Sequence, residues 1–356
     1  LMEKHRPYVL WDWGTAYDLF ASLYVLHNPD KFGVRGAWAA GVRSRLTTDQ
    51  RTILEDAQDL FYASPFAWVS ELPEPKDSAT VLWKLRQLSP PDRLPTLAFH
   101  ANEPPEIIEI LKRVAERESW DESDFEHLGD LYQGRSGLTL SEASINTLNW
   151  WAHPGEFGER YLAALQAYVS VFFAEEERRI RPYLQQALSR AKQLANKLEF
   201  PELMLELSQG EKISTFEEAE EIKFVPSYWT TPLIMSDCVL TGHWVVLYGA
   251  RPPEVALIPG EVIPDTMLKS LKALSDPTRL LILRYLRNKP QTPSQLAKKL
   301  RLRPPTVIHH LNTLRLAGLV YVTLEDEQEK RYTVRESAME NTFTALEDFL
   351  LLNDGG

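Results

Sequence analysis

The sequence predicts a mainly α protein. A helical N-terminal domain with a small β portion precedes a compact C-terminal unit in which short helices lead into a two-stranded hairpin. Three observations carry this. Apolar residues recur at helical spacing through most of the first 210 positions. Short β-branched and aromatic runs begin only near Phe216. The last ninety or so residues alternate amphipathic helices with turn signals.

The elements follow in order. Tyr17, Phe20, Leu23, Tyr24 and His27 mark a first helix, which Asn28-Pro29 stops. Trp38, Val42 and Leu46 mark a second. Thr48-Asp49 reads as the cap of a third, with Ile53, Ala57 and Leu60 on one face. Pro104 and Pro105 open a helix carrying Ile107, Ile110, Leu111 and Val114. Glu156 to Lys197 reads as two helices, or as one bent near Pro182. EIKFVPSYWT and HWVVLYGA then predict strands. RPPEVALIPGEVIP, with four prolines, reads as a stiff linker over 251–264, separating residues 1–250 from 265–356.

In the C-terminal unit, DTMLKSLKAL is a short amphipathic helix. Pro277 starts an apolar helix through Leu286, and TPSQLAKKL starts a third. Thr306 to Ala317 follows, stopped by Gly318. Leu319–Leu324 and Lys330–Val334 form a hairpin around the acidic tip Glu325–Glu329, before a last helix from Glu336 to about Leu352. This is the order of a winged helix-turn-helix. With Val307, Leu311 and Leu314 turned to the core, Thr306, His309, Asn312 and Thr313 face solvent at 100° per residue. That face is polar and uncharged, with Lys298, Lys299, Arg301 and Arg303 at its edge, which suits a helix in a major groove gripped by phosphate contacts.

Composition bounds the function. The 356 residues suggest two or three domains; 44% hydrophobic and 25% charged residues exclude a disordered chain, a fibre and a disulfide scaffold. The single cysteine, Cys238, excludes an internal disulfide and a cysteine-cluster zinc site, and suits a reducing compartment. The longest apolar stretch, Tyr161 to Ala174, is interrupted by Gln166 and is shorter than the ~20 residues a bilayer requires. LMEKHRPYVLWDW lacks the apolar core of a secretion signal, so a cytoplasmic location is expected. The net charge is −11, yet residues 269–315 hold 11 basic residues and one acidic residue, Asp276. Such a patch attracts phosphate at short range, because salt screens beyond ~10 Å.

LSDPTRLLILRYL followed by QLAKKLRLRPPTVIHHLNTLRLAGLV resembles the ArsR family of bacterial winged-helix repressors over about 266–335. The resemblance implies a homodimer on two-fold-related duplex DNA, with an effector that alters affinity. It implies dimerisation through the terminal helices, here the faces Met267, Leu271, Leu274 and Met339, Phe343, Leu346, Leu350. Expected DNA contacts are Lys298, Lys299, Arg301, Arg303, Thr306, His309 and Thr313, with His310 at the flank. Ile308 replaces a frequent serine and suits a thymine methyl. The tip EDEQE repels phosphate, which leaves the wing contact to Lys330 and Arg331. Metal sensing is not expected: Pro293–Leu300 has no cysteine and Glu336–Leu352 no histidine. Nor do adjacent His309 and His310 share an ion easily, since their side chains diverge by about 100°.

LFASLYVLHNPDKFGVRGAWAAGVRSRL resembles a region found ahead of ArsR-type winged helices, a resemblance that carries no assigned activity. Its expected input is a small-molecule effector or a partner. Trp11, Trp13, Trp38, Trp68, Trp83, Trp120, Trp150 and Trp151 read as core first and as pocket lining second. Glu175-Glu176-Glu177 with Arg178-Arg179 reads as a solvated face. His153, Glu156 and Glu159 read as a helix start with its cap, and Gly134-Arg135-Ser136-Gly137 as a turn. There is no phosphate-cradling glycine loop, H-E-x-x-H or G-x-S-x-G, so neither catalysis nor a cofactor is expected. The alternatives are an enzyme or ligand-processing domain with an accessory DNA-binding tail, and an architectural DNA-binding protein without an effector.

Overall fold

The computed structural model describes residues 6–61, 65–99, 103–136, 142–208, 216, 218–252, 255–257, 265–324 and 330–351. The chain opens with β1 (Tyr8–Trp11), α1 (Thr15–His27), a 3-10 turn (Pro29–Phe32), α2 (Gly36–Arg43), α3 (Thr48–Leu60) and α4 (Phe66–Ser70). There follow α5 (Ser78–Gln87), α6 (Pro90–Ala98), α7 (Pro105–Arg117), α8 (Glu122–Ser136) and α9 (Glu142–Ala152). Then α10 (Pro154–Tyr168) runs through a π-helical segment (Val169–Phe173) into α11 (Ala174–Ala195), followed by α12 (Phe200–Leu207). The N-terminal body closes with β2 (Glu221–Ser227), β3 (Met235–Leu240) and β4 (His243–Gly249). The C-terminal body comprises α13 (Asp265–Leu274), α14 (Pro277–Asn288), α15 (Pro293–Leu300), α16 (Pro304–Leu316), β5 (Val320–Leu324), β6 (Lys330–Val334) and α17 (Glu336–Leu351).

The protein is mainly helical, with one four-stranded sheet ordered β1-β2-β4-β3 and one hairpin. β1 lies parallel to β2, with Tyr8 opposite Glu221; β4 is also parallel to β2, and β3 runs antiparallel to β4. The N-terminal residues 8–11 are therefore a strand ahead of the helices, which local periodicity does not show. One large core joins the helices to the inner side of β2 and β4, a smaller one lies between the sheet, α11 and α12, and a separate core fills the C-terminal body.

Several expectations are corrected. The cap of α3 is Thr47, whose hydroxyl accepts from Gln50 N while the Gln50 side chain accepts from Thr47 N. The break between α10 and α11 is the π segment, not Pro182, which lies inside α11. Pro182 is exposed, and it lacks the N–H that would pair with the carbonyl one turn earlier. In the π segment the extra residue per turn brings both Phe172 and Phe173 into the core, beside Tyr168. Gly134, Arg135 and Ser136 form the last turn of α8 rather than a loop; Gly137 is outside the described residues.

The run 175–179 is not a solvated face. Glu175 and Arg178 are exposed, but Glu176 is buried and holds Arg179, whose Nη1 also donates to the Tyr228 hydroxyl at 2.8 Å. Glu177 accepts from the Thr15 hydroxyl and from Ser78 N and Oγ, so its carboxylate ties the start of α1 to the start of α5, where it takes a backbone N–H beside the Asp77 cap. The N-cap of α1 is Gly14, which has no side chain to cap with and where a Cβ would lie 2.4 Å from the Lys76 carbonyl oxygen; that carbonyl instead accepts from Ala16 N at 3.0 Å.

The segment expected as a linker is docked in its first half. Arg251 donates to Thr231 O, the Tyr228 hydroxyl donates to Ala256 O at 3.0 Å, and Leu257 is in the N-terminal core. Pro253, Pro259 and Pro264 are outside the described residues.

Candidate nucleic-acid interface

Each element of the C-terminal body is set by its own sequence. Asp276 caps α14 by accepting from Arg279 N at 2.9 Å, and Pro277 pre-sets the first turn. That N–H, with the Arg279 guanidinium, holds the Asp276 carboxyl below the usual carboxylate range. The same guanidinium turns back to the end of α13, donating to Ala273 O at 2.7 Å and Lys272 O at 2.8 Å. The Asp-Pro-Thr-Arg motif thus closes one helix and opens the next. Thr292 and Gln295 form a capping box at α15, which ends at Arg301 in the left-handed region (φ 56°).

α16 begins at Pro304 and Pro305, with Arg303 before it. Val307, Leu311 and Leu314 are fully buried against Ile282, Leu286 and Leu296. Thr306, Ile308, His309 and Asn312 are exposed, and His310 and Thr313 are half-buried. The helix ends in a Schellman turn: Leu319 N donates to Leu314 O and Gly318 N to Arg315 O, both at 2.9 Å, with Gly318 at φ 69°. Ser270 Oγ on α13 donates to Ala317 O at 3.0 Å, tying the first helix of the body to the end of α16.

The expected phosphate contacts divide. Lys298, Arg301, Arg303 and Lys330 are exposed, and Arg331 is half-buried on β6. Lys299 is also exposed, but its ammonium donates to Gln291 Oε1 and lies 5.3 Å from the Tyr285 ring centre. Gln291 is buried, donates through Nε2 to Tyr285 O at 2.7 Å, and pairs its backbone with Tyr332 of the hairpin. Lys299 therefore helps hold the wing against α15. Thr313 Oγ1 donates to His309 O at 3.0 Å, so its proton is committed within the helix. The rings of His309 and His310 are 6.0 Å apart and inclined at 63°. His310 Nδ1 is buried without a hydrogen bond among the described residues, and burial lowers the pKa of this ring. The wing tip 325–329 lies outside the described residues.

Of the terminal-helix faces, Met267 is buried, while Leu271, Leu274, Met339 and Leu346 are half-buried where α13 meets α17. Phe343 and Leu350 are 58% and 71% exposed. Leu302, in the turn before α16, is a surface residue that sequence spacing did not single out; it is 36% exposed. Its flanks, Arg301 and Arg303, are the signal: an apolar residue between two cations in a turn has no periodic core face to join.

The N-terminal body holds a second concentration of charge, but each member is engaged. Asp12 accepts from the Tyr17 hydroxyl at 2.6 Å and from Lys76. Asp18 accepts from Ser227 Oγ, Tyr228 N and Trp229 N. Asp237 accepts from Ala67 N at the start of α4. Among the described residues no group of three or more His, Cys, Asp or Glu is placed to hold a metal ion. Glu156 pairs with Arg160 and Glu159 with Arg93, and His153 occupies the N-cap position of α10 without a side-chain capping bond. Trp151 is buried, Trp150 and Trp120 donate to Asp56 and Asn149, and Trp83 is exposed. Among the described residues no helix is long and apolar enough to cross a membrane.

A helix-turn-helix with a β hairpin, a solvent-facing recognition helix and cations on its edge defines a DNA-binding domain of the winged type. Residues 276–322 match the family described as bacterial regulatory protein, arsR family. Residues 276–322 are thus an ArsR-family helix-turn-helix domain, which supports DNA-binding transcriptional regulation. A solved structure, an ArsR-like transcriptional regulator from Rhodococcus sp. RHA1, is similar at 32% identity over 23% of this chain and 77% of that chain, with a TM-score of 0.22. No curated protein matches the chain.

Proposed function

We propose that the chain is a homodimeric, sequence-specific repressor that acts by binding rather than catalysis, with an N-terminal body that receives a non-metal effector or a partner. One observation carries the reading: the strip of Thr306, His309 and Asn312 on α16 is exposed, as are the cations Lys298, Arg301 and Arg303 before it. Bases are read at the centre of such a surface and phosphates at its edge. The exposed Phe343 and Leu350 on α17 support pairing of two copies through this helix, since apolar side chains of that size gain from burial.

Fluorescence anisotropy with a labelled duplex from the chain's own upstream region, against a scrambled duplex at two salt concentrations, tests the reading. A preference of at least about a thousandfold is expected for a regulator. Equal, steeply salt-dependent binding to both would favour an architectural role. A monomer by light scattering, with and without DNA, would remove the homodimer.

A further inference from the structure

We propose that the interface reads thymine 5-methyl groups through two aliphatic side chains, Leu302 and Ile308; the inference rests on the DNA-binding reading above. Leu302 and Ile308 are 36% and 41% exposed, and Leu302 stands between the exposed cations Arg301 and Arg303 in the turn that leads into α16. Large apolar residues left in water next to a phosphate-attracting edge are matched to an occupant that is anionic at its rim and apolar at its centre. In the major groove of a duplex the apolar feature is the methyl group of thymine.

Beside the polar strip of Thr306, His309 and Asn312, part of the hydrogen-bonding capacity of this surface is absent or already used. Pro304 and Pro305 occupy the first turn of α16 and remove two of the backbone N–H donors that a helix start otherwise presents. The hydroxyl proton of Thr313 is held by His309 O. The left-handed conformation at Arg301 and the bond from Leu302 N to Ala297 O fix the turn and leave the Leu302 side chain outside the core formed by Leu296, Val307 and Leu311. Ile308 lies one turn before Asn312, so a methyl contact and a base-edge hydrogen bond fall on neighbouring positions of one helix face.

The test uses the full-length chain and duplexes that it selects from a random library. Each thymine of the selected site is replaced in turn by deoxyuridine, which deletes the 5-methyl and nothing else. Affinity is expected to fall about fourfold at one or two thymines per half-site, the equivalent of one apolar carbon removed from contact. Leu302→Ala and Ile308→Ala are each expected to abolish the penalty at one of those positions and leave the other. Specific binding that is indifferent to uridine at every position overturns the methyl reading and leaves DNA binding intact. Failure to select any duplex overturns both. Because the uridine series uses the unaltered protein, a variant that folds poorly does not spoil it.

Discussion

The ammonium of Lys269 on α13 lies 3.2 Å from the carbonyl oxygen of Phe32, at the end of the 3-10 turn that follows α1. The next residue, Ser270, is bonded to Ala317 at the end of α16. One short helix thus touches the N-terminal body on one side and the recognition helix on the other. A cation at a helix C-terminus contributes about 0.3–1 kcal/mol. Lys269→Met keeps the apolar stem and removes the donor. Amide hydrogen exchange across residues 28–34 is expected to rise about two- to fivefold with little change in melting temperature; unchanged exchange would show that the contact does not steady the turn.

Asp18 makes the N-terminal body sensitive to pH. Burial pushes its carboxyl up to about 6 from 3.8, against the opposing pull of Trp229 N, Ser227 Oγ and Tyr228 N, with Glu176 adding to the rise. The folded state therefore keeps a proton that the unfolded state has released between about pH 4 and 6. This contribution to stability is present below pH 4 and is lost as pH rises to about 6. Asp18→Asn has no such proton. In urea unfolding the stability gap between variant and parent should move in the variant's favour from pH 4 to 7, by up to about 3 kcal/mol, and stay level above that. A gap that does not change with pH would contradict the assignment.

Lys298 and Lys299 are adjacent but differently engaged. Lys298→Ala is expected to lower the salt slope of DNA binding by about one unit and leave folding unchanged. Lys299→Ala should lower the slope less and reduce the stability of the C-terminal body by about 1 kcal/mol, because buried Gln291 loses its charged partner. Salt titrations and thermal melts of the two variants separate these roles; identical slopes would place both on phosphate.

His309 and His310 diverge in the same manner. His309→Ala should cost ~1–3 kcal/mol at the preferred site and relax base preference there. Equal losses on specific and random duplex would contradict a base contact. His310 has its pKa lowered, first by burial and then by Arg279 and His309, while Asp276 opposes. The unfolded chain therefore takes up this proton first as pH falls below about 6.5, and the C-terminal body loses stability on acidification. His310→Phe should flatten the fall in melting temperature between pH 7 and 5.5, which differential scanning fluorimetry reads directly.

The C-terminal body was legible because its signals are local. Asp276-Pro277, Thr292 with Gln295, Arg303 before Pro304-Pro305, and Gly318 each start or stop a helix within a few residues. Val307, Leu311 and Leu314 carry the period that turns His309 outward. The engaged state of Lys299 was not legible, since its partner Gln291 reads as a loop residue until β6 is paired beside it. In the N-terminal body the helices are local but the polar contacts are not. Glu177 looks solvated in a run of charges, and only the folding of α1 and α5 against α11 reveals what it holds. Trp38 stacks on Trp229, nearly two hundred residues away, a pairing that no spacing rule connects.

The parallel pairing of β1 with β2 has a consequence for how the protein is made. Tyr8 meets Glu221 more than two hundred residues later, and among the described residues β1 has no other strand beside it. During synthesis the first strand leaves the ribosome long before its partner exists, and the helices between them must wait with their sheet-facing surfaces uncovered. Contacts of such sequence separation close slowly. In the C-terminal body the paired segments are nearer in sequence, Gln291 with Tyr332 and α13 with α17, so its loops are shorter to close. The sheet of the N-terminal body is therefore complete only after the helices that pack on it have been made.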